Sequence, residues 1–266
     1  MPSWKLMWIL AVVIYAACKV VSWMNARIPQ APIWRHTVYL FAWPGMDAVH
    51  FLGKSARSKP STVSPNEWQG AATKTGLGAI LLVGVARMIP SDREYLAGWI
   101  GMLGIVLILH FGVFHLLSCF WRSLGLQAAP LMNHPMRSTS LSEFWGQRWN
   151  TAFRDLTHRF LFRPLASRLG PRLAMLAGFI FSGAVHELVI SVPAHGGYGG
   201  PSLFFAIQGA AIAVERSRHG RRIGLGSGLP GRAFAAVVLV APIVLLFHHP
   251  FVLGVMIPFL RAVGAL

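Results

Sequence analysis

His186 and Glu187 stand side by side inside the otherwise apolar run Leu173 to Val192. Ionisable groups in such a run are expensive in hydrocarbon and usually line a cavity or a pathway. Ser182 precedes His186 by about one helical turn, so Gly178, Ser182 and His186 form a polar strip. A functional group lining such a cavity is one reading of His186. Two other readings compete with this one: a structural histidine bonded to a neighbouring helix, and a proton path in a transporter built on His186 and Glu187. Glu187 projects about 100° away from His186 on a helix, which suits a helix dipole or a neighbouring donor better than an orienting carboxylate. A zinc-protease motif fails because Leu188-Val189-Ile190 follow where the second histidine should stand. His110 and His115 fall on different helix faces, and His248-His249 falls in a predicted turn, so no metal site is expected. The run Gly226-Ser227-Gly228-Leu229-Pro230-Gly231 has the letters of a dinucleotide-binding loop, but no strand precedes it and Pro230 contradicts that fold.

The second candidate segment runs from Arg122 to Arg172 and interleaves aromatics with Arg and His. Ser140-Leu141-Ser142-Glu143 has the spacing of a capping box, with Ser140 as N-cap and Glu143 reaching back. From there Trp145, Trp149 and Phe153 recur every four residues, and Glu143, Gln147, Asn150 and Arg154 form a polar stripe. That pattern predicts one amphipathic helix lying in the membrane interface. Arg148 and Arg154 suit the phosphates of an anionic nucleotide cosubstrate. Trp145 and Trp149 suit either that site or anchoring at the headgroup layer.

The elements that must position these residues follow from composition. Hydrophobic residues make up 55% of the 266 and charged residues only 12%, more apolar surface than one soluble core hides. Apolar stretches fall at 6–23, 34–52, 76–90, 96–120, 173–192, 201–215, 233–248 and 250–265. The sequence therefore predicts an all-α polytopic membrane bundle of about eight spans, although several stretches fall short of the ~20 residues of a perpendicular span. Pro44, Gly45, Asp47 and His50 mark 34–52 as a broken or interfacial element. The N-terminal run continues past Cys18 to Trp23, which favours a retained first helix over a cleaved signal.

Lys and Arg number 24 against 8 Asp and Glu, a formal net charge of +16. The cations cluster in three connections: Lys54, Arg57, Lys59 and Lys74; Arg122 to Arg172; and Arg216 to Arg232. The alternate connections are poor in charge. Eight crossings put all three basic connections and both termini on the cytoplasmic side. Anionic lipid accounts for such clusters, so nucleic acid is not an expected partner. Cys18 and Cys119 lie in apolar segments and predict no disulfide. No repeat divides the chain, so one domain over 1–266, with its motif region at 135–190, is expected.

Thr139-Ser140-Leu141-Ser142-Glu143-Phe144-Trp145-Gly146-Gln147-Arg148-Trp149-Asn150 resembles the signature of wax synthases, a branch of the membrane-bound O-acyltransferase family. That pattern is an aromatic pair, a short polar stretch and an Arg-Trp-Asn ending. Further along, Ser182-Gly183-Ala184-Val185-His186-Glu187 resembles the family's second motif, in the expected order. The resemblance implies acyl transfer from a thioester to a hydroxyl, with acyl-CoA as cosubstrate and no bound cofactor. It matches His186 to the family's catalytic histidine and Asn150 to the asparagine of its first motif. Their expected roles are general base for His186 and oxyanion or thioester donor for Asn150. The acceptor, a fatty alcohol or another hydroxyl compound, stays open.

Overall fold

The computed structural model describes residues 1–28, 30–53 and 63–266. The described residues are helical and loop, with no strand among them. Lys54, Arg57 and Lys59, expected in the first basic connection, lie outside the described residues.

The helices in chain order are α1 (Ser3–Ala26), α2 (Ile33–Ala42), α3 (Ala48–Leu52), α4 (Pro65–Met88) and α5 (Ser91–Ser123). There follow α6 (141–148), α7 (151–169), α8 (Pro171–Ala194), α9 (Gly200–Glu215), α10 (Arg218–Arg222), α11 (Gly228–Leu246) and α12 (His249–Ala262). Five of them, α1, α4, α5, α8 and α11, are long and apolar enough to cross a membrane. The chain is an integral membrane protein. The expected eight spans are not all of that kind: α9 and α12 are shorter apolar helices, and 34–52 breaks into α2 and α3.

Two elements differ from expectation for local reasons. The stretch 76–90 is the end of a 24-residue helix, about 36 Å long, that begins at Pro65. Ser64 caps it by accepting from the Glu67 amide at 3.3 Å, with Pro65 at the first helical position, so Lys74 sits inside the helix rather than in a loop. The expected amphipathic helix through Trp145, Trp149 and Phe153 is interrupted. Its first part widens so that the Trp149 amide bonds the Phe144 carbonyl at 2.9 Å. Trp149 is then extended and Asn150 is left-handed at φ +40°, a conformation asparagine tolerates better than most residues. Trp149 and Phe153 therefore do not continue the Trp145 face.

The chain packs as two compact units. One holds residues 13–132, 151–156 and 260–266. Its core gathers Tyr39, Trp43, Phe51, Leu52, Trp121 and Leu131. The break between α2 and α3 leaves backbone carbonyls unpaired, and α1 supplies their donors. Lys19, 1% exposed, donates to the Trp43 carbonyl at 2.7 Å and to the Gly45 carbonyl, and its Nζ lies 3.5 Å from the centre of the Tyr39 ring. Ser22 donates to the Met46 carbonyl, and the Tyr39 hydroxyl donates to Ser22 at 2.9 Å.

The other unit holds residues 1–12, 133–150 and 157–259, and so both sequence motifs. Here α6, α8, α9 and α11 share a core of Leu141, Ile212 and Ala235 with Trp145, Met175, Phe179 and Val238 packed against it. Helices α8 and α9 meet at Gly183, where a Cβ would lie 2.9 Å from the Ser202 Cα. Backbone cannot yield as a side chain does, so glycine sets this approach. Gly231 has a different reason to be glycine than nucleotide binding: a Cβ there would lie 2.2 Å from the Thr139 carbonyl oxygen.

Gly183→Ala is therefore expected to lower the thermal midpoint of the detergent-purified chain, by about 1–3 kcal/mol of overpacking. Gly178, on the same helix, has nothing within 4 Å of its would-be Cβ. Gly178→Ala is expected to leave the midpoint unchanged or raise it, as glycine in a helix interior costs about 0.5–1 kcal/mol relative to alanine. Equal behaviour of the two variants would refute the close approach.

Candidate active site

The first motif begins with a helix start satisfied three times over. Ser140 accepts from the Glu143 amide at 3.0 Å, and the Glu143 carboxylate reaches back to the Thr139 amide at 2.7 Å and hydroxyl at 2.9 Å. This is the reciprocal cap expected from the sequence, with Glu143 bonding one residue before the cap. The third partner is remote: Glu215 accepts from the Leu141 amide at 2.7 Å and the Ser142 amide at 3.2 Å. The donated Thr139 amide, with Arg148 beside it, holds the Glu143 carboxyl below the ordinary glutamate range.

The far end of α6 is tied as closely. Arg148 pairs with Glu143 at 2.6 Å and donates to the Asn133 carbonyl at 3.2 Å, while the Asn133 amide donates to the Arg148 carbonyl at 2.8 Å. Trp149 folds back so that its ring stacks on Phe144, with centroids 5.4 Å apart and planes 15° from parallel. Asn150 then occupies the left-handed turn that ends the motif. Arg154 belongs to the other unit, where it pairs with Asp155.

His186 lies on α8, half-buried, with its Nδ1 2.7 Å from the Ser182 carbonyl oxygen. A carbonyl only accepts, so a neutral ring carries its proton on Nδ1 and presents the lone pair on Nε2. The ring packs on Phe205, centroids 4.6 Å apart. Trp145 packs on the same Phe205 at 5.8 Å and on Phe179 at 5.9 Å, and its indole N–H donates to Gln208 Oε1 at 3.2 Å. The structure thus brings the two motifs to one phenylalanine of α9. Glu187 turns the other way: its Oε1 accepts the Gly199 and Ser202 amides, each at 3.0 Å, at the start of α9. A proton path would need that carboxylate for the proton.

Gln208 and Glu215 escaped the sequence reading. Both are buried, at 0% and 3% exposure. Their signal is there in hindsight: they are the polar residues that interrupt and end the apolar stretch 201–215. Elsewhere, Glu67, His115 and Cys119 bring possible metal-ligand atoms within 4.8 Å of one another. Arg122 pairs with the same Glu67 oxygen that bonds His115, so the cluster already holds a cation.

Residues 128–207 match the sequence profile of the membrane bound O-acyl transferase family. Both motifs fall within that stretch, as the resemblance read from the sequence requires. Similar curated proteins include the probable long-chain-alcohol O-fatty-acyltransferase 3 of Arabidopsis thaliana, 33% identical over 38% of this chain and 33% of its own length. The long-chain-alcohol O-fatty-acyltransferase of Simmondsia chinensis is 35% identical over 35% of this chain and 29% of its own length. The acyl-CoA–sterol O-acyltransferase 1 of Arabidopsis thaliana is 38% identical over 24% of this chain and 21% of its own length. The matches thus span a third or less of these relatives. No solved structure matches the chain.

The Glu143 carboxyl generates a pH prediction. Its folded value lies below the unfolded one, so its stabilisation is whole above the unfolded glutamate range and is lost as pH falls through the lowered value. The thermal midpoint of wild type is expected to exceed that of Glu143→Gln at neutral pH, with the two curves converging only below the ordinary glutamate range. A gap that is independent of pH would remove Glu143 ionisation from the cap.

Proposed function

We propose that this chain is a membrane O-acyltransferase that moves an acyl group from acyl-CoA to a hydroxyl, as one domain over 1–266 with its chemistry in 135–190. The observation that carries the reading is the histidine of the second motif, held with Nε2 as its basic nitrogen and sharing Phe205 with the first motif.

In the proposed reaction, His186 Nε2 takes the proton of the alcohol as its oxygen attacks the thioester carbonyl. A C–O bond forms and the carbonyl oxygen gains negative charge, which the Asn150 amide stabilises by donating a hydrogen bond. Collapse breaks the C–S bond, and the thiolate leaves with the proton held on His186, giving ester and free coenzyme A. Arg148 and the indoles of Trp145 and Trp149 would flank the cosubstrate. For Arg154 the same expectation rests on the sequence alone. A long-chain alcohol is the favoured acceptor, because relatives matching the motif region carry that activity in their names. A sterol is the second reading, for the same reason.

The five long helices, the two short apolar ones and the broken 33–52 element are taken as the eight crossings. That count keeps the basic connections and both termini on the cytoplasmic face, where acyl-CoA is met.

The test is ester and free-thiol formation by the purified full chain in detergent, over panels of acyl-CoA and alcohols. His186→Ala is expected to abolish both products. Asn150→Ala is expected to lose about 10²–10³-fold in kcat, the scale of one oxyanion donor. Asn150→Gly separates turn from chemistry, since glycine accepts the +40° backbone without strain. It is expected to lose as much as Asn150→Ala. Restored turnover in Asn150→Gly would leave the side chain only a turn-forming role, and products unchanged in His186→Ala would sink the mechanism.

A further inference from the structure

Helix α9 carries a stripe that touches both motifs in turn. Ser202 gives its amide to Glu187, the neighbour of His186. Phe205 holds the His186 and Trp145 rings. Gln208 accepts from the Trp145 indole and donates to the Val238 carbonyl at 2.9 Å. Ile212 packs on Leu141, and Glu215 takes the Leu141 and Ser142 amides. These five recur every three or four residues, so they lie on one helical face. Gln208, Ile212 and Glu215 lie beyond the stretch that matches the family profile, which ends at 207.

Glu215 is the unusual member. Helix α6 already has a local cap in Ser140, which serves the Glu143 amide. A local cap stabilises a helix wherever the helix goes. A cap donated from α9 fixes where the helix begins relative to α9, whose Phe205 packs on the His186 ring. Burying a carboxylate at 3% exposure is costly unless its oxygens are bonded, and here they take the first two amides at the positive end of α6. Arg216 reinforces the join by donating to the Ser142 hydroxyl at 3.0 Å. At the other end of α6, Asn133 and Arg148 exchange hydrogen bonds. Asn150 follows two residues later, with little slack between.

We infer that Glu215 is a positioning residue for acyl transfer, acting through α6 to set Asn150 against the reacting thioester. The inference rests on the acyltransferase reading and adds to it a residue outside both motifs. Helix α9 is then the rail on which the two motifs are registered, with Glu187 anchoring one end and Glu215 the other.

The experiment uses the full chain in detergent, with hexadecanoyl-CoA and hexadecanol as probes. Wild type, Glu215→Ala, Glu215→Gln and the His186→Ala control are compared. Steady-state kinetics, thermal midpoint and hydrogen exchange of the 141–148 amides are read on each. Glu215→Ala is expected to lose about tenfold to a hundredfold in kcat, the penalty of a displaced catalytic group. Its KM for hexadecanol is expected to stay within about twofold, as for a loss confined to the transition state. Exchange at Leu141 and Ser142 should quicken in the same variant. Glu215→Gln keeps an acceptor oxygen and is expected to recover most of the turnover. Wild-type kcat in Glu215→Ala overturns the inference. So does an equal loss in both variants that tracks a fallen thermal midpoint, which would make the residue merely structural. Ester made by wild type and lost in His186→Ala upholds the acyltransferase reading, and the Glu215 results then decide this inference alone. No ester from wild type fails that reading and this role with it, and the exchange data still report whether Glu215 holds the helix.

Discussion

A helix start leaves backbone amides that the helix itself cannot bond, and several starts in this chain are met by carboxylates. It has only 8 acidic residues against 24 Lys and Arg, so where they go is informative. Asp47, Glu143, Glu187 and Glu215 all accept backbone amides at or near helix starts. Glu187 does so at the start of the next helix, and Glu215 does so on a helix 74 residues back along the chain. The charge is favourable there because the amides present the positive end of the helix dipole.

The other unit solves the mirror problem. Breaking 34–52 into α2 and α3 frees carbonyls instead of amides, and the donors come from α1 as a lysine nitrogen and two hydroxyl groups. Lys19 is nearly inaccessible, and its side-chain nitrogen meets the Tyr39 face as well as two carbonyls, so it does not lack polar partners. In both units several polar residues within apolar helices, Lys19, Ser22, Glu187 and Glu215, bond backbone at a break or a helix start. His186 is different. Its Nδ1 bonds the Ser182 carbonyl of its own helix, whereas His115 is tied to Glu67 and His248 uses both ring nitrogens, on Ser191 and the Phe251 amide.

Asn150 shows how a motif can be legible and its shape illegible. The aromatic spacing from Trp145 to Phe153 reads as continuous helix because periodicity registers only which residues are apolar. The structure spends Trp149 on stacking with Phe144 and turns the chain at Asn150. What stops the helix is a left-handed residue and a paired Arg148, neither of which leaves a trace in the apolar period. The capping box, by contrast, depends on neighbours three residues apart, and it formed with Ser140 and Glu143 as read.

Composition and local spacing therefore determined the membrane class, the apolar helices, the cap of α6 and the two motifs, because each depends on residues within a turn or a span of one another. The beginning of α4 at Pro65 was equally local, written in Ser64 and Glu67. Only the tertiary structure decided that Glu187 and Glu215 anchor opposite ends of α9, that Trp145 and His186 share Phe205, and that Gly183 and Gly231 are close approaches. Those facts depend on which helices lie side by side. That arrangement follows from shape and from hydrogen-bond partners many residues away, which periodicity along one chain does not encode.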